Sequence, residues 1–413
     1  MMHNPSLKKL ATPVHIFYRD RVKQDAEAIK TGLSQSLNSL DLIFSVKTNP
    51  LPELLRLLSA LGWQMEVVSP GDLAATQKAC IPGAQLILSG AGWKLDFLKS
   101  AIHDNNVRSF VLDSPGSAQL LAQALKPIAN DDPLTILLRL NDGDSHFGVH
   151  PSAETFRLML EPFQRFSSLE IGLHIHKNSH GSPENEQQVI RDFRDRLQVL
   201  TVAKNLLEKS VDQPVLIFNL GGGIDSPFTY NLPPAKIGDY HNPSRAPKFR
   251  ALIEDSRFSL EHLAGNISAE IAKALVPQNT SSVRIQFELG RSVSARALST
   301  LITVLNVKNS LYPDAVIAIT DGNTATMGPI QRCLHPIHAF TKNSSTNCPH
   351  FIYGNLPHSG DWLFQNLDLP TLTVGDQILI EHTGAYLLPL EAEFGFSLPA
   401  IYDLENETYL RQG

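Results

Sequence analysis

The chain has 413 residues, of which 42% are hydrophobic and 18% charged, values typical of a soluble globular protein with two domains or one barrel and a smaller domain. The formal net charge of −6 argues against a nucleic-acid partner and favours a small-molecule substrate. No apolar run approaches the roughly 20 residues that cross a bilayer, and no secretion signal is recognisable, so we expect a cytoplasmic protein without a membrane partner. The three cysteines are scattered, which suits a reducing compartment and indicates no metal site.

Eight short apolar runs between Leu42 and Glu288 predict strands, and most of the gaps between them hold segments with helical periodicity. This alternation predicts a parallel sheet, and eight units predict a closed (β/α)₈ barrel of the TIM type over residues 31–290. The runs are LIFSV, MEVV, QLILS, RSFVL, LTILLRL, LEIGLHI, PVLIFNL and VRIQFEL.

The C-terminal part of the chain has a different pattern. After Arg291, β-type runs alternate with clusters of Gly, Pro and Asn, which predicts a second, all-β domain over residues 291–413. The early run PVHIFY adds a strand to it, so residues 1–30 are expected to join this domain. Residues 224–260 are predicted to form a long loop near the barrel mouth.

Polar residues follow the predicted strands, where the carboxyl ends of a (β/α)₈ barrel form its catalytic mouth. Loops are polar in any soluble barrel, but that does not explain a lysine, two histidines, a triple glycine and a Glu-x-Gly-Arg set together. These residues are Lys47, His174, His176, Gly221, Gly222, Gly223, Glu288, Gly290 and Arg291.

Lys47 ends an apolar strand in FSVKTNP. Partial burial there is expected to lower its pKa toward the neutral amine that a Schiff base needs. A lysine at such a position is more often a solvated surface residue, so Lys47 alone is weak evidence.

Two further motifs each allow a chemical role and, as an alternative, a purely structural one. NLGGGID exposes backbone N–H groups that can cradle a phosphate, or it is a tight turn that needs positive φ. In FELGR, Glu288 can keep a pyridine nitrogen protonated and Arg291 can add charge to a phosphate site; the alternative is a local ion pair.

Together these motifs resemble the fold-type III pyridoxal phosphate decarboxylases, the family of ornithine, arginine and diaminopimelate decarboxylases with an alanine racemase-type barrel. The resemblance implies that Lys47 carries pyridoxal 5′-phosphate as a Schiff base. EVVSPGDL matches a second family segment and brings Glu66 and Ser69 to the mouth. GLHIHKNSH implies that His176 stacks on the cofactor ring and that Ser179 lies near its phosphate.

NLGGGID and FELGR carry over as the phosphate loop and the carboxylate of the pyridine nitrogen, with Gly290 and Arg291 beside the cofactor. GAYLLP assigns Tyr386 to the phosphate. The family implies decarboxylation of an amino acid by a homodimer with shared active sites. Glu288 favours a decarboxylase because the related racemases have an arginine there. A racemase on the same scaffold and a cofactor-binding relative without activity remain alternatives.

The chain departs from the family in the segment YGNLPHSGDWL. Pro357 and His358 stand where the family has a catalytic cysteine and a glutamate, whereas the substrate-side Asp361 is kept. His358 can replace the proton donor, since imidazole titrates near neutral pH, or it is a loop histidine without a catalytic role. Cys348 is a poor substitute because it is nine residues away.

A second departure lies in TDGNTATMGPIQR. Gly328 replaces an arginine that holds a substrate carboxylate in diaminopimelate enzymes, and Arg332 compensates only in part. Lys177 is a new residue close to the cofactor or a solvated loop lysine. These changes favour a specialised decarboxylase that acts on an unusual amino acid or an amino-acid conjugate, as in siderophore assembly, or in diamine and lysine-type metabolism.

Overall fold

The structure is a computed structural model that describes residues 7–141, 143, 145–177, 186–227, 230–231, 258–275, 283–310, 315–328, 330, 333–341 and 347–413. Most of the predicted loop at 224–260 lies outside these residues, as do Ser179 and Arg332.

Eight parallel strands close into a barrel, and they coincide with the eight predicted apolar runs. The last strand pairs with the first and with the seventh, which closes the sheet. A short strand, β1 (Val14–Phe17), precedes the barrel strands, which are β2 (Leu40–Ser45), β3 (Gln64–Val67), β4 (Leu86–Ser89), β5 (Ser109–Leu112), β6 (Leu134–Leu140), β7 (Leu169–Ile175), β8 (Val215–Asn219) and β10 (Arg284–Leu289).

Helices separate these strands, as the periodicity of the sequence predicts. They are α1 (Arg19–Ser34), α2 (Pro52–Ala60), α3 (Pro70–Lys78), α4 (Leu95–Lys99), α5 (Pro115–Ala124), α6 (Ala153–Leu160), α7 (Glu186–Val211) and α8 (Leu260–Leu275), with a short α9 (Arg291–Ser294) after the last barrel strand. In the described ranges, every helix is too short or too polar to span a lipid bilayer.

Two strand-to-helix turns share a Ser-Pro-Gly signal. Ser69 caps α3 by accepting a hydrogen bond from the Asp72 amide at 3.2 Å, and Ser114 caps α5 in the same way from the Ser117 amide at 3.2 Å. The proline after each serine begins the helix, where its missing N–H leaves no hydrogen bond unmade. These caps keep the connections at the mouth short.

Inside the barrel, an apolar layer supports a polar one. Because alternate residues of a strand face the same side, the residue two positions beyond an inward apolar residue also faces inward. Ser45 follows Ile43 in this way, and Asn219 follows Ile217, so polar groups form the floor of the mouth. The buried apolar cluster beneath them is formed by Ile43, Ile87, Val111, Leu137 and Ile217.

The second domain is built on a nine-stranded sheet, and the predicted N-terminal strand belongs to it. β1 lies between β11 (Leu298–Asn309), to which it is antiparallel, and β18 (Ala400–Asp403), to which it is parallel. A two-stranded pair, β9 (Tyr230–Asn231) with β13 (Cys333–Leu334), lies apart from this sheet. The sheet strands besides β1 are β11 (Leu298–Asn309), β12 (Val316–Thr320), β14 (Ile337–Phe340), β15 (Asn347–Tyr353), β16 (Trp362–Pro370), β17 (Gln377–Ile380), β18 (Ala400–Asp403) and β19 (Thr408–Arg411).

A barrel with a separate, mostly β domain is therefore confirmed, whereas the boundaries at residues 30 and 290 stay a prediction.

Ion pairs join α1 to the chain beyond the barrel. Arg21 Nη2 is 2.9 Å from Glu381 Oε1, and Arg296 Nη1 is 2.7 Å from Asp25 Oδ1. Burial alone would raise the pKa of Glu381, but the hydrogen bond from His338 and the charge of Arg21 outweigh it and hold this pKa at about 2.

We expect Glu381→Gln to destabilise the protein by about 3 kcal/mol at pH 7, because the carboxyl pKa falls from its ordinary 4.5 to about 2 on folding. A lowered acid pKa stabilises the fold above the ordinary value, so the difference from the parent protein should shrink as the pH falls from 4.5 toward 2. Melting temperatures across this range measure it. The exposed Glu393→Gln is the control, and an equal loss at all pH values would contradict the expectation.

Candidate active site

Lys47 lies in a single helical turn, Val46–Thr48, directly after β2. Its Nζ is 3.5 Å from Oε2 of Glu66 in β3. Glu66 is 3% exposed and also accepts a hydrogen bond from the Ser45 hydroxyl. The charge of Glu66 raises the pKa of Lys47 and outweighs burial, which by itself would lower it.

The expectation of a lowered Lys47 pKa is therefore wrong for this structure. Burial acts in the expected direction, but strand pairing places a carboxylate beside the amine. β2 and β3 are parallel neighbours with Ser45 opposite Glu66, so the Glu66 side chain reaches the turn that follows Ser45. The lysine is thus held as an ammonium until its partner or its environment changes.

Glu288 is the penultimate residue of β10 and is buried beside two histidines, His174 of β7 and His176 directly after β7. His174 Nε2 lies 3.2 Å from the Glu288 carboxylate, and His176 Nδ1 lies 3.4 Å from its Oε2. Asn219 Nδ2 donates a hydrogen bond to Glu288 Oε1 at 3.0 Å. The sequence brings both histidines to the mouth, and the structure joins them to the same carboxylate.

These contacts fix the charge of Glu288. Burial would raise its pKa, but the hydrogen bond from His174, the positive charge that His174 carries when protonated and the neighbouring His176 hold that pKa well below its usual range. Burial lowers the pKa of His174, which favours a neutral ring beside the carboxylate. The three side chains lie within 4.8 Å of one another, a spacing that metal ions also use, but His176 Nδ1 already accepts the Gly222 amide at 3.2 Å.

The triple glycine forms a turn that needs glycine, as one reading of its sequence predicts, whereas its role in holding a phosphate stays a prediction. Gly221 and Gly223 have φ values of +65° and +116°, which favour glycine. Close packing excludes side chains as well. A Cβ on Gly221 would lie 2.7 Å from the Ile175 carbonyl oxygen, and one on Gly222 would lie 2.6 Å from that of Glu288.

The glycine loop is anchored by residues that the sequence motifs do not single out. Buried Arg196 of α7 donates to the carbonyl of Leu220 at 2.8 Å and to that of Gly222. The Gly221 amide donates to Asn219 Oδ1 at 2.8 Å. Since the amides of Gly221 and Gly222 are used inside the protein, an anion here would be met by the later amides of the loop.

Arg291 lies at the open end of this loop. Its Nε is 3.2 Å from Asp225 Oδ1, and its guanidinium carbon is 5.0 Å from the centre of the Tyr386 ring. Its Nη1 donates to Cys333 Sγ at 3.5 Å. The structure thus brings together Arg291 and Tyr386, the two residues that the resemblance assigns to a phosphate.

The Gly-Ala-Tyr segment is fastened to the turn that carries Lys47. The Tyr386 amide donates to the Thr48 carbonyl at 2.7 Å, and Asn49 Nδ2 donates to the Gly384 carbonyl at 2.8 Å. Tyr386 adopts a φ of +64°, which is unusual for a residue with a side chain. Gly290 packs against the same turn, since a Cβ there would lie 2.5 Å from Thr48 Cγ2.

The segment that differs from the family is a surface loop in this chain. His358 is exposed, and its Nδ1 accepts a hydrogen bond from the Gly360 amide at 3.1 Å. Asp361 is buried, and its carboxylate accepts from the amides of Thr324 at 2.8 Å and Leu356 at 2.7 Å. Asp361 therefore organises the loop, and its predicted contact with substrate stays a prediction.

The remaining sequence candidates are scattered. Cys348 lies on β15 with its sulfur 3.7 Å from the Thr371 hydroxyl. Lys177 Nζ is 3.8 Å from Asp192 Oδ1 of α7, and the Lys177 side chain is partly exposed to solvent. Gly328 has a φ of +56°, and a Cβ there would lie 3.1 Å from the Leu387 carbonyl oxygen.

The arrangement fits a phosphorylated pyridine aldehyde. An amine for the aldehyde, an ionised carboxylate for a ring nitrogen and an arginine beside a glycine turn for the phosphate lie around one mouth. The charges of these groups are the fit test, because Glu288 is buried and held ionised, as the partner of a protonated ring nitrogen must be, and the Arg291 guanidinium lies 5.0 Å from the Tyr386 ring.

The family with the description "Pyridoxal-dependent decarboxylase, pyridoxal binding domain" matches residues 19–295. This chain belongs to the pyridoxal-dependent decarboxylase family, and the predicted family, enzyme class and cofactor are thereby confirmed. Among curated relatives, the lysine/ornithine decarboxylase of Selenomonas ruminantium is 23% identical over 97% of this chain and 91% of its own. The diaminopimelate decarboxylase of Aquifex aeolicus is 22% identical over 97% of this chain and 87% of its own.

Solved structures show the same fold. A lysine decarboxylase from Selenomonas ruminantium superimposes with a TM-score of 0.75 at 22% identity, covering 97% of this chain and 95% of the other. The diaminopimelate decarboxylase from M. jannaschii in complex with L-lysine gives 0.79 at 18% identity, covering 98% and 91%. At 18% and 22% identity, these similarities show the fold alone.

We expect Glu66→Gln to lower the pKa of Lys47, because it removes the charge that holds the amine protonated. Competitive acetylation of the full chain across pH, with the Lys47 peptide quantified by mass spectrometry, measures this pKa without any cofactor. Glu53→Gln, in the first turn of α2 and paired with Arg56, is the matched control. An unchanged labelling midpoint in Glu66→Gln would refute the proposed control of Lys47 by its neighbour.

Proposed function

We propose that this protein removes the α-carboxylate of an amino acid, with Lys47 as the residue that holds pyridoxal phosphate. The observation that carries the proposal is the meeting of Lys47, Glu288 and the Gly221–Gly223 turn at one barrel mouth. When bound, the cofactor supplies a protonated pyridine ring that accepts the electron pair of the breaking Cα–carboxylate bond.

Different residues of the chain would bind the cofactor and move the protons of this reaction. The ionised carboxylate of Glu288 would keep the pyridine nitrogen protonated, and the hydrogen bond from Asn219 orients it for that task. Arg291 and the glycine turn would hold the phosphate, with Tyr386 beside them. The Lys47 amine must lose its proton to capture an aldehyde, and the Glu66 carboxylate 3.5 Å away is placed to hold that proton.

The substrate is proposed to differ from those of diaminopimelate enzymes. Gly328 offers no charge where those enzymes carry an arginine, and Pro357 cannot donate a proton. A specialised amino acid or amino-acid conjugate, as in siderophore assembly, remains our proposal for the pathway. The relatives named for lysine, ornithine and diaminopimelate support the reaction class and leave the substrate open.

We further propose a homodimer with shared sites. The segment after Tyr386 exposes three large apolar side chains, with Leu390 at 53%, Phe394 at 65% and Phe396 at 41%. Apolar side chains grouped beside a catalytic mouth are typical of a protein interface. In such a dimer we propose that His358 of the exposed loop serves the partner's mouth as a proton donor.

Incubation with amino acids and conjugates should release CO₂ from at least one, and Lys47→Ala should reduce this release at least 1,000-fold, or about 4 kcal/mol of transition-state stabilisation. In D₂O the amine product should carry one deuterium at Cα. Deuterium in a recovered amino acid that keeps its carboxylate would show a racemase instead. Cofactor absorbance that survives in Lys47→Ala after dialysis would contradict the role of this lysine.

Sedimentation of the parent protein is expected to give about twice the chain mass of 45.5 kDa. Phe394→Glu should shift this equilibrium toward the monomer, because an exposed apolar side chain that is buried on association would become a buried charge. Val374→Glu, equally exposed in the β domain, is the control and should leave the mass unchanged. A monomer in the parent protein would refute the shared site.

A further inference from the structure

We propose that Arg196 is a positioning residue for the cofactor phosphate, because it holds the glycine turn from outside the barrel so that the Gly223 amide points into the mouth. The inference rests on the proposed function. It deepens that function by naming a residue outside the sequence motifs that controls the affinity for the phosphate group. Arg196 acts through the turn alone, without a contact of its own to the phosphate.

Arg196 lies on α7, which packs against β7 and β8 from outside the barrel. The residue is buried, with 4% of its surface exposed. Its guanidinium carbon lies 4.4 Å from the centre of the Phe193 ring, about one turn earlier on the same helix. Packing therefore fixes the guanidinium plane, and with it the directions in which its N–H groups donate.

The guanidinium donates to three backbone carbonyls. Nη1 donates to the carbonyl of Leu220 at 2.8 Å and to that of Gly222, and Nη2 donates to that of Lys177 at 3.2 Å. Leu220 and Gly222 belong to the turn after β8, whereas Lys177 lies just beyond β7. Arg196 therefore ties together two neighbouring strand ends of the mouth, one with the glycine turn and one with His176.

The planarity of the peptide bond gives this anchor a direction. In a trans peptide, the C=O of one residue and the N–H of the next point to opposite sides. The Leu220 carbonyl faces Arg196, and the Gly221 amide of the same peptide donates to Asn219 Oδ1 at 2.8 Å. Asn219 also donates to buried Glu288. The side of the turn that faces away from Arg196 is therefore the interior of the mouth.

The same geometry applies to the peptide between Gly222 and Gly223. The Gly222 carbonyl also faces Arg196, so the Gly223 amide points away from α7 and toward the mouth. Within the described part of the chain, neither this amide nor that of Ile224 has a protein acceptor. Two successive amides without an acceptor at the end of a glycine turn can receive a phosphate oxygen.

Gly223 and Arg196 fit closely together. Gly223 has a φ of +116°, and a Cβ there would lie 2.9 Å from Arg196 Nη2. A guanidinium presents several N–H donors at fixed angles in one plane, whereas the ammonium group of lysine is a compact charge on a flexible stem. Arg196→Lys would therefore keep the positive charge but lose the fixed geometry that holds the three carbonyls.

The test compares pyridoxamine 5′-phosphate with pyridoxamine, two ligands that differ only in the phosphate and need no covalent bond to Lys47. Equilibrium dialysis with the cofactor-free full chain measures both dissociation constants. In Arg196→Met we expect the phosphorylated ligand to bind roughly 30-fold more weakly, because its charged hydrogen bonds to the turn are misaligned, and pyridoxamine to change by less than about threefold. A merely structural role would weaken both ligands by the same factor. That result, or an unchanged affinity for the phosphorylated ligand, overturns the inference.

Arg196→Lys separates orientation from charge, and it decides the question if Arg196→Met does not fold. We expect it to weaken the binding of pyridoxamine 5′-phosphate roughly fivefold or more and to leave pyridoxamine unchanged. An affinity equal to that of the parent protein would show that charge alone suffices and would overturn the positioning role. Arg191→Met is the matched control, since Arg191 is exposed on the same helix and bonds only to Gln188 at 3.1 Å among the described residues. It should keep both affinities.

The same measurements distinguish this inference from the function on which it rests. If the parent protein prefers the phosphorylated ligand and Arg196→Met keeps that preference, the role of Arg196 alone fails. If the parent protein shows no preference for the phosphorylated ligand, the assignment of the turn to the cofactor phosphate fails, and the inference falls with it.

Discussion

Closure of the barrel is the constraint on which the site depends. β10 pairs with β2 on one side and with β8 on the other, so the end of the last strand meets the beginning of the barrel. Because all eight strands are parallel, their carboxyl ends open on one side. Lys47 after β2 and Glu288 at the end of β10 share a mouth only because this closure occurs. Beneath them, the apolar cluster around Ile43 and Ile217 keeps water out of the barrel and fixes the floor.

The β domain also positions the lysine turn. Its Gly384–Tyr386 segment bonds to Thr48 and Asn49, so the lysine turn is held from the barrel side by strand β2 and from above by the second domain. The N-terminal β1 inserts between β11 and β18, and the helix that follows it packs on the barrel. The two ends of the chain thus join the barrel to the β domain. A cavity beside Tyr386 lies at the junction of the two.

The sequence predicts what depends on local pattern. Eight apolar runs give eight strands, and the glycine turn and Glu288 lie at the carboxyl ends of barrel strands, as predicted. The sequence does not predict contacts that depend on which strands and helices become neighbours in the barrel. The raised pKa of Lys47 arises from Glu66 on the neighbouring strand, and Arg196 holds the glycine loop from a helix whose sequence shows no motif. Asn219 stands inside the quoted motif NLGGGID, yet its bond to Glu288 becomes visible only when β8 lies beside β10.

The mouth is divided into zones of different charge, and this division follows from which strands supply each zone. Glu66 and Glu288 place negative charge near the amine and at the floor, whereas Arg291 places positive charge at the end of the glycine turn. Beyond Arg291 lies a cavity lined by Met327, Ile330 and Leu387, and burial lowers the pKa of its histidines His335 and His382 to about 4 and about 3. A ligand that spans these zones must present an anion at one end and a cationic ring nitrogen at the other, as pyridoxal phosphate does.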